Sequence, residues 1–175
     1  MTVYTPGEDT YLILEHIKGL ELEGKKFLDM GTGNGKIALK AAEKGAEVIA
    51  IDINPEALEY AKDKAREKGL ENRINFLKSD LFKNIEEEFD VVVFNPPYLP
   101  GEEGLGDEEI WRGGDKGTEV TEKFLEDISD YLRPEGYSLV LVSSRADLEA
   151  LDRFDFVFVE EKNLWFEELK LLRFD

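Results

Sequence analysis

The chain has 175 residues, 42% of them apolar, and its 40 acidic against 22 basic side chains give a formal net charge of −18. A length of this order suits a single domain spanning residues 1–175, which can bury about 70% of its unfolded surface in one core, and no uncharged apolar run nears the roughly 20 residues that cross a bilayer. The charge opposes phosphate backbones and so argues against direct nucleic-acid binding, while the absence of cysteine and the lone His16 leave no metal site to expect.

That acidity favours a basic protein partner, unless it serves only to keep the chain soluble. The opening residues, Met1 to Pro6, contain no basic stretch followed by an apolar one, so a cytoplasmic location is the default expectation. In chain order, Asp9–Lys18 reads as an amphipathic helix in which His16 sits among Tyr11, Leu12, Leu14 and Ile17, a setting for packing rather than catalysis. A strand over Lys26–Asp29 runs into a glycine-rich turn and a helix over Lys36–Glu43. Next come a strand over Glu47–Ile53 and a helix over Pro55–Lys68, opened by a capping Asn54 with Pro55 at the first helical position and closed by Gly69. Strands follow at Ile74–Lys78 and Phe89–Asn95, with Glu86, Glu87 and Glu88 between them as a solvated loop, part of which could meet a basic substrate surface.

Tyr98 to Thr118 is glycine-rich, acidic and aperiodic; within it Trp111 reads equally as a core anchor or a substrate contact. Beyond it the pattern gives a helix over Val120–Tyr131, a strand over Tyr137–Ser143, a helix over Arg145–Leu151, and strands over Phe154–Glu160 and Glu167–Phe174. The last two have no helix between them and form a hairpin joined through Lys162, Asn163, Leu164 and Trp165. The expected fold is therefore α/β: a doubly wound, seven-stranded, mostly parallel sheet ending in an antiparallel hairpin.

Asp29-Met30-Gly31-Thr32-Gly33-Asn34-Gly35 is a strand–turn–helix junction, the context in which glycines let a backbone approach a ligand, although an ordinary tight turn reads the same way. Two carboxylates sharpen it. Asp29, before the loop, would repel a pyrophosphate but suit the ammonium of a methionine moiety, and Asp52, ending the next strand, can accept from ribose hydroxyls. Methionine plus ribose implies S-adenosylmethionine. Asp80 and Leu81 follow the third strand at the same sheet edge, where Asp80 could accept from an adenine amino group and Leu81 cover the ring; for Asp80 a helix-cap role stays open.

Asn95-Pro96-Pro97-Tyr98 leaves a central strand beside the expected methyl donor. Proline restrains its own backbone and that of the residue before it, so the polar groups of Asn95 and Pro96 are held in fixed directions. The Asn95 side-chain oxygen and the Pro96 carbonyl can accept both N–H bonds of a planar nitrogen, with the Tyr98 ring stacked on it. Such a pocket suits an amide and an exocyclic base amine alike, and a rigid structural turn is the remaining alternative.

Together Asp29 through Gly35, Asp52, Ser79-Asp80-Leu81 and Asn95 through Tyr98 resemble the class I, Rossmann-like methyltransferases, specifically the HemK/PrmC family of protein-glutamine N5-methyltransferases. Val3 through Tyr11 and Trp111 through Val120 look like the opening and the substrate-side loop of its short archaeal and eukaryotic branch, with Gly7 where alanine is common. The resemblance implies methylation of the glutamine in the Gly-Gly-Gln loop of a class I translation release factor. It implies cofactor contacts from Thr10, Asp29, Gly31, Asp52, Asp80, Leu81 and Asn95, and glutamine contacts from Asn95, Pro96 and Tyr98; the reading of the loop adds Gly33 and Gly35 to the cofactor set, and that of the tetrapeptide adds Pro97 to the reaction site. It also implies a small zinc-binding activator paired with the third-strand edge, where Ile74-Asn75-Phe76-Leu77 would otherwise present open pairing groups. Rival expectations are an N6-adenine nucleic-acid methyltransferase, opposed by the acidic charge, a protein-lysine methyltransferase, and a cofactor-binding scaffold without turnover.

Overall fold

The computed structural model describes residues 7–98 and 117–175. Seven strands form one sheet: β1 Lys26–Met30, β2 Glu47–Asp52, β3 Ile74–Lys78, β4 Phe89–Phe94, β5 Leu132–Ser143, β6 Val157–Asn163 and β7 Glu168–Phe174, in spatial order β3-β2-β1-β4-β5-β7-β6. The pairings from β3 through β5 are parallel, while β7 runs antiparallel to both β5 and β6. The helices are α1 Glu8–Lys18, α2 Lys36–Glu43, α3 Pro55–Glu67 and α4 Glu119–Asp127. This is the expected doubly wound sheet with its antiparallel hairpin, and β3 is an outer strand as expected.

The central strands are near-continuous apolar runs because both sheet faces are covered. Phe27, Val48, Ala50, Val91, Val93, Leu139 and Leu141 point to one core with Ile13 and Ile17 of α1 and Ala38 and Ala41 of α2. The alternate residues Leu28, Met30, Val92, Phe94, Val140 and Val142 join Phe82 and α4's Phe124 in a second core on the opposite face. There Phe82 stacks on Tyr131 with ring centroids 4.2 Å apart. Two packed faces fix the heights of β1, β2 and β4, and hence the positions of the loops at their C-terminal ends.

Four elements depart from the sequence expectation by more than one residue. The helix read over Arg145–Leu151 is only a 3-10 turn at Leu148–Leu151. The amide of Arg145 donates to Ser143 Oγ, a local side-chain bond that competes with helical pairing, and Asp147 is not helical at φ −76° and ψ 84°. The helix read over Val120–Tyr131 is α-helical only to Asp127 and finishes as a 3-10 turn, Ile128–Tyr131. β5 starts at Leu132, before Tyr137, with a register irregularity against β4 between Phe89 and Val91. β6 lies three residues later than Phe154–Glu160, so Lys162 and Asn163 belong to the strand and the turn begins at Leu164. The segments containing Val3 to Pro6 and Trp111 to Lys116 lie outside the described residues.

Candidate active site

The C-terminal ends of β1, β2, β3 and β4 share one sheet edge, and each delivers part of the anticipated site. After β1, Gly31, Gly33 and Gly35 all have left-handed backbones, with φ of 67°, 53° and 79°, a conformation that costs a side-chain-bearing residue steric strain. Their jobs differ. Gly31 is exposed, and an added Cβ there would meet the Phe94 ring at an ordinary 3.6 Å. Gly35 is buried, and a Cβ there would stand 2.8 Å from Ala61 Cβ of α3, so Gly35 serves the close approach of α2 to α3.

Asp29 is buried, and its Oδ2 accepts from Thr32 Oγ1 at 2.6 Å and from the Ala38 amide at 3.0 Å, bracing the glycine loop against the start of α2. Among the described residues its Oδ1 has no hydrogen-bond partner. Burial pushes its carboxyl up to about 7, against the two hydrogen bonds that lower it, with a small further rise from the Asp52 charge. Asp52 also faces the loop: its Oδ2 accepts from the Gly33 amide and its Oδ1 from the Asn54 amide, both at 2.8 Å. Burial raises its carboxyl above the usual range, opposed by those bonds. A carboxylate offers about four acceptor positions, so the backbone bonds leave capacity for a ribose hydroxyl. Asn54 caps α3 as expected, its Oδ1 accepting from the Glu56 amide at 2.9 Å, with Pro55 leading the helix.

At the end of β3 the Asp80 side chain does not cap the following 3-10 turn, Leu81–Asn84; it is exposed and pairs with Lys83 Nζ at 2.5 Å. The cap reading for that side chain is therefore set aside. Leu81 is half-buried with φ 48°, a left-handed backbone on a non-glycine residue, which fixes where its side chain lies along the cleft edge. Ser79 Oγ holds this turn, donating to the Leu81 carbonyl at 2.7 Å and accepting from the Asn84 amide at 3.1 Å.

β4 ends at Phe94 and delivers Asn95, Pro96, Pro97 and Tyr98. Asn95 Nδ2 donates to Asp9 Oδ2 of α1 at 3.0 Å, and among the described residues Asn95 Oδ1 is buried without a hydrogen-bond partner. A carboxylate can only accept here, so Asp9 fixes which way the amide faces: nitrogen toward α1, oxygen away from it. Thr10, the next residue of α1, is buried at the same junction. Tyr98 is half-buried, and its phenol is held well above the ordinary tyrosine range, first by burial and then by the negative charges of Asp9 and Glu167, so it stays protonated. Gly117 lies against it with φ 80°, where a Cβ would come within 2.6 Å of the Tyr98 carbonyl oxygen.

The strand ends thus place the carboxylates, the glycine loop and Asn95 to Tyr98 at one sheet edge, and α1 adds Asp9; Trp111 lies outside the described residues. Sequence spacing carried no hint that Asp9 and Asn95, 86 positions apart, would pair; the nearest signals were the resemblance of Val3 through Tyr11 to the family's opening, which gave Asp9 no role, and the acidic pair Glu8 and Asp9 opening α1, which reads equally as charge at a helix N-terminus. The residues fit a cationic cofactor without phosphates, since Asp29 and Asp52 flank the loop and Asn95 Oδ1 is an unspent acceptor.

Comparison with known proteins agrees with this fit. Residues 21–169 match a family described as a methyltransferase domain. The chain is 38% identical to the Methanocaldococcus jannaschii "Putative protein N5-glutamine methyltransferase MJ0928" over 150 residues, spanning 81% of this chain and 73% of that one. It is 35% identical to human methyltransferase HEMK2, over 85% of this chain and 76% of that one. Among solved structures it superposes on a chain of the E. cuniculi Mtq2-Trm112 complex, described as responsible for methylation of the eRF1 translation termination factor, with TM-score 0.77 and 29% identity over 99% of this chain and 98% of that one. The chain belongs to the S-adenosylmethionine-dependent methyltransferases, within the HemK family of protein N5-glutamine methyltransferases.

Proposed function

We propose that this protein transfers a methyl group from S-adenosylmethionine to the side-chain nitrogen of the glutamine in the Gly-Gly-Gln loop of a class I release factor. The observation that carries the reading is the orientation of Asn95: its nitrogen is committed to Asp9 and its buried oxygen is left as an acceptor. An amide acceptor has two N–H bonds and a delocalised lone pair, so it reacts only when both N–H groups are held and the nitrogen is aimed. Asn95 Oδ1 and the Pro96 carbonyl supply the two acceptors, and the neutral Tyr98 ring supplies the flat wall. The two prolines keep these groups from turning away, so alignment costs little at the moment of reaction.

In this reading Thr10, Asp29, Gly31, Gly33, Gly35, Asp52, Asp80 and Leu81 build the cofactor cleft, Gly35 indirectly through the helix contact that sets the loop. The bound cofactor supplies an electrophilic methyl carbon on a sulfonium. Asp29 opposes any phosphate and favours an ammonium, and Asp52 directs its remaining acceptor capacity to the ribose. No side chain has to remove a proton before transfer; the amide proton leaves afterward to solvent.

The −18 charge supports a basic protein acceptor over DNA or RNA, which needs cationic contacts to be approached and distorted. A small zinc-binding partner along β3 completes the reading: β3 is an outer strand with Phe76 and Leu77 only half-buried, and an open strand edge calls for a cover. The zinc would be the partner's, since no group of three or more His, Cys, Asp or Glu side chains among the described residues could hold a metal ion. A purified chain that is monomeric, soluble and fully active alone would refute the partner. The substrate is tested by radiolabelled methyl transfer to release factor, its Gln-to-Ala variant and DNA side by side. Label confined to the unaltered release factor is expected; label on DNA or on the variant would overturn the reading.

A further inference from the structure

We propose that Trp165 and Phe166 are the docking post for a basic, arginine-bearing face of the protein that presents the acceptor glutamine; this rests on the glutamine-methyltransferase reading. The two rings are 96% and 92% exposed, the most exposed large apolar side chains among the described residues. They sit on the turn between β6 and β7. Solvating two adjacent aromatic rings is costly, and paired aromatics on a rigid support are typical anchors of protein interfaces.

The support is rigid. The Leu164 amide donates to the Glu167 carbonyl across the turn at 2.8 Å, and Leu164 itself packs on the core. Ser143 Oγ donates to Glu167 Oε2 at 2.7 Å, while Ser144 and Glu168 exchange bonds: the Glu168 amide to Ser144 Oγ and the Ser144 amide to the Glu168 carbonyl, both at 2.9 Å. A turn held this way presents its rings without first having to order its backbone, which lowers the entropic cost of binding.

The post stands at the reaction edge. Ser143 ends β5, the neighbour of β4, whose end carries Asn95 to Tyr98. The Glu167 charge acts on the Tyr98 hydroxyl. Lys162 at the other side of the turn pairs with Glu8, next to Asp9. A protein that places a glutamine against Tyr98 therefore meets the two rings with the surface beside that glutamine.

Charge selects the occupant. Glu160, Glu161, Glu167 and Glu168 line the hairpin, and its lysines are already engaged, Lys162 with Glu8 and Lys170 with Glu168. Aromatic faces beside four glutamates that outnumber the hairpin's two lysines, on a chain of net charge −18, suit guanidinium groups, which stack on indole and pair with carboxylate at once.

The test compares the wild-type protein, with its activator if one is needed, and the W165A/F166A double variant. Two acceptors are used: full-length release factor and a short synthetic peptide carrying only the Gly-Gly-Gln loop. The expected result is a KM for the full-length acceptor raised about 30-fold in the double variant, with kcat, cofactor affinity, Tm and peptide kinetics unchanged. An unchanged KM for the full-length acceptor would overturn the proposal. So would an equal loss on the peptide, which would place the rings in local site structure, or conversion of a dimer to a monomer by light scattering, which would make a second copy of this chain the occupant. If the wild type labels neither acceptor, the glutamine reading itself falls and takes the docking proposal with it.

Discussion

Replacing Asp9 by alanine removes the carboxylate that, among the described residues, tells the Asn95 amide which way to face. In the wild type the Asp9 Oδ2 to Asn95 Nδ2 bond is 3.0 Å long, and Asp9 is only 4% exposed, so water does not readily take its place. Without it the amide can rotate by half a turn and offer the acceptor an NH2 group where a carbonyl oxygen is required. A hydrogen bond with one charged partner contributes about 1.5–3 kcal/mol. Each 1.36 kcal/mol of lost transition-state alignment is tenfold in rate, so kcat is expected to fall about 10- to 100-fold. The assay is single-turnover methyl transfer with cofactor and acceptor both saturating, accompanied by calorimetric cofactor binding and a thermal melt of the same variant. Asp9→Asn keeps an acceptor oxygen while losing the charge and is expected to recover part of the rate. A kcat for Asp9→Ala within about twofold of wild type in a folded, cofactor-binding protein would refute the orienting role.

Asn95→Ala, which deletes the acceptor itself, is expected to lower turnover about 100-fold or more while cofactor binding, measured calorimetrically, is largely kept. Gly35→Ala forces a Cβ to within 2.8 Å of Ala61 at a φ of 79° and is expected to destabilise the fold by about 1–3 kcal/mol, read as a lower urea midpoint. Asp29, raised to about 7 by burial, holds a proton in the free protein below that pH, and a cationic cofactor favours its charged form; affinity is therefore expected to climb between pH 6 and pH 8 and to level above, whereas Asp29→Asn is expected to flatten the profile in calorimetry. Because that folded value lies above the ordinary aspartate value, the same residue's contribution to stability is fully present at pH below about 4 and lost as pH rises through about 7. Asp29→Asn is accordingly expected to raise the cofactor-free Tm at pH 8.

The legible parts of the fold were those where a local pattern had one physical outcome. The Asn54-Pro55 start of α3 is such a place, since cap chemistry and proline geometry agree. So are the two-faced strands β1, β2 and β4, whose near-continuous apolar character fits a covered parallel sheet. Where a tertiary bond competes with a local preference, the pattern misleads. Arg145–Leu151 has helical spacing, yet the Ser143 hydroxyl takes the Arg145 amide and β7 takes Ser144, so only the 3-10 turn Leu148–Leu151 forms there and no α-helix. In the site, the strand-end carboxylates and the Asn95 to Tyr98 turn were readable because chain order fixes which sheet edge they share. Asp9 was not, because its partner lies across the fold, and neither was the structural duty of Gly35, which depends on where Ala61 packs.

The most direct measurement of the central claim is tandem mass spectrometry of a release factor incubated with this protein and S-adenosylmethionine, with the Asn95→Ala variant as control. One added methyl group is expected, located on the side-chain nitrogen of the glutamine in the Gly-Gly-Gln loop and absent with the variant. A methyl group on a lysine or elsewhere in the acceptor, or undiminished modification by Asn95→Ala, would contradict it.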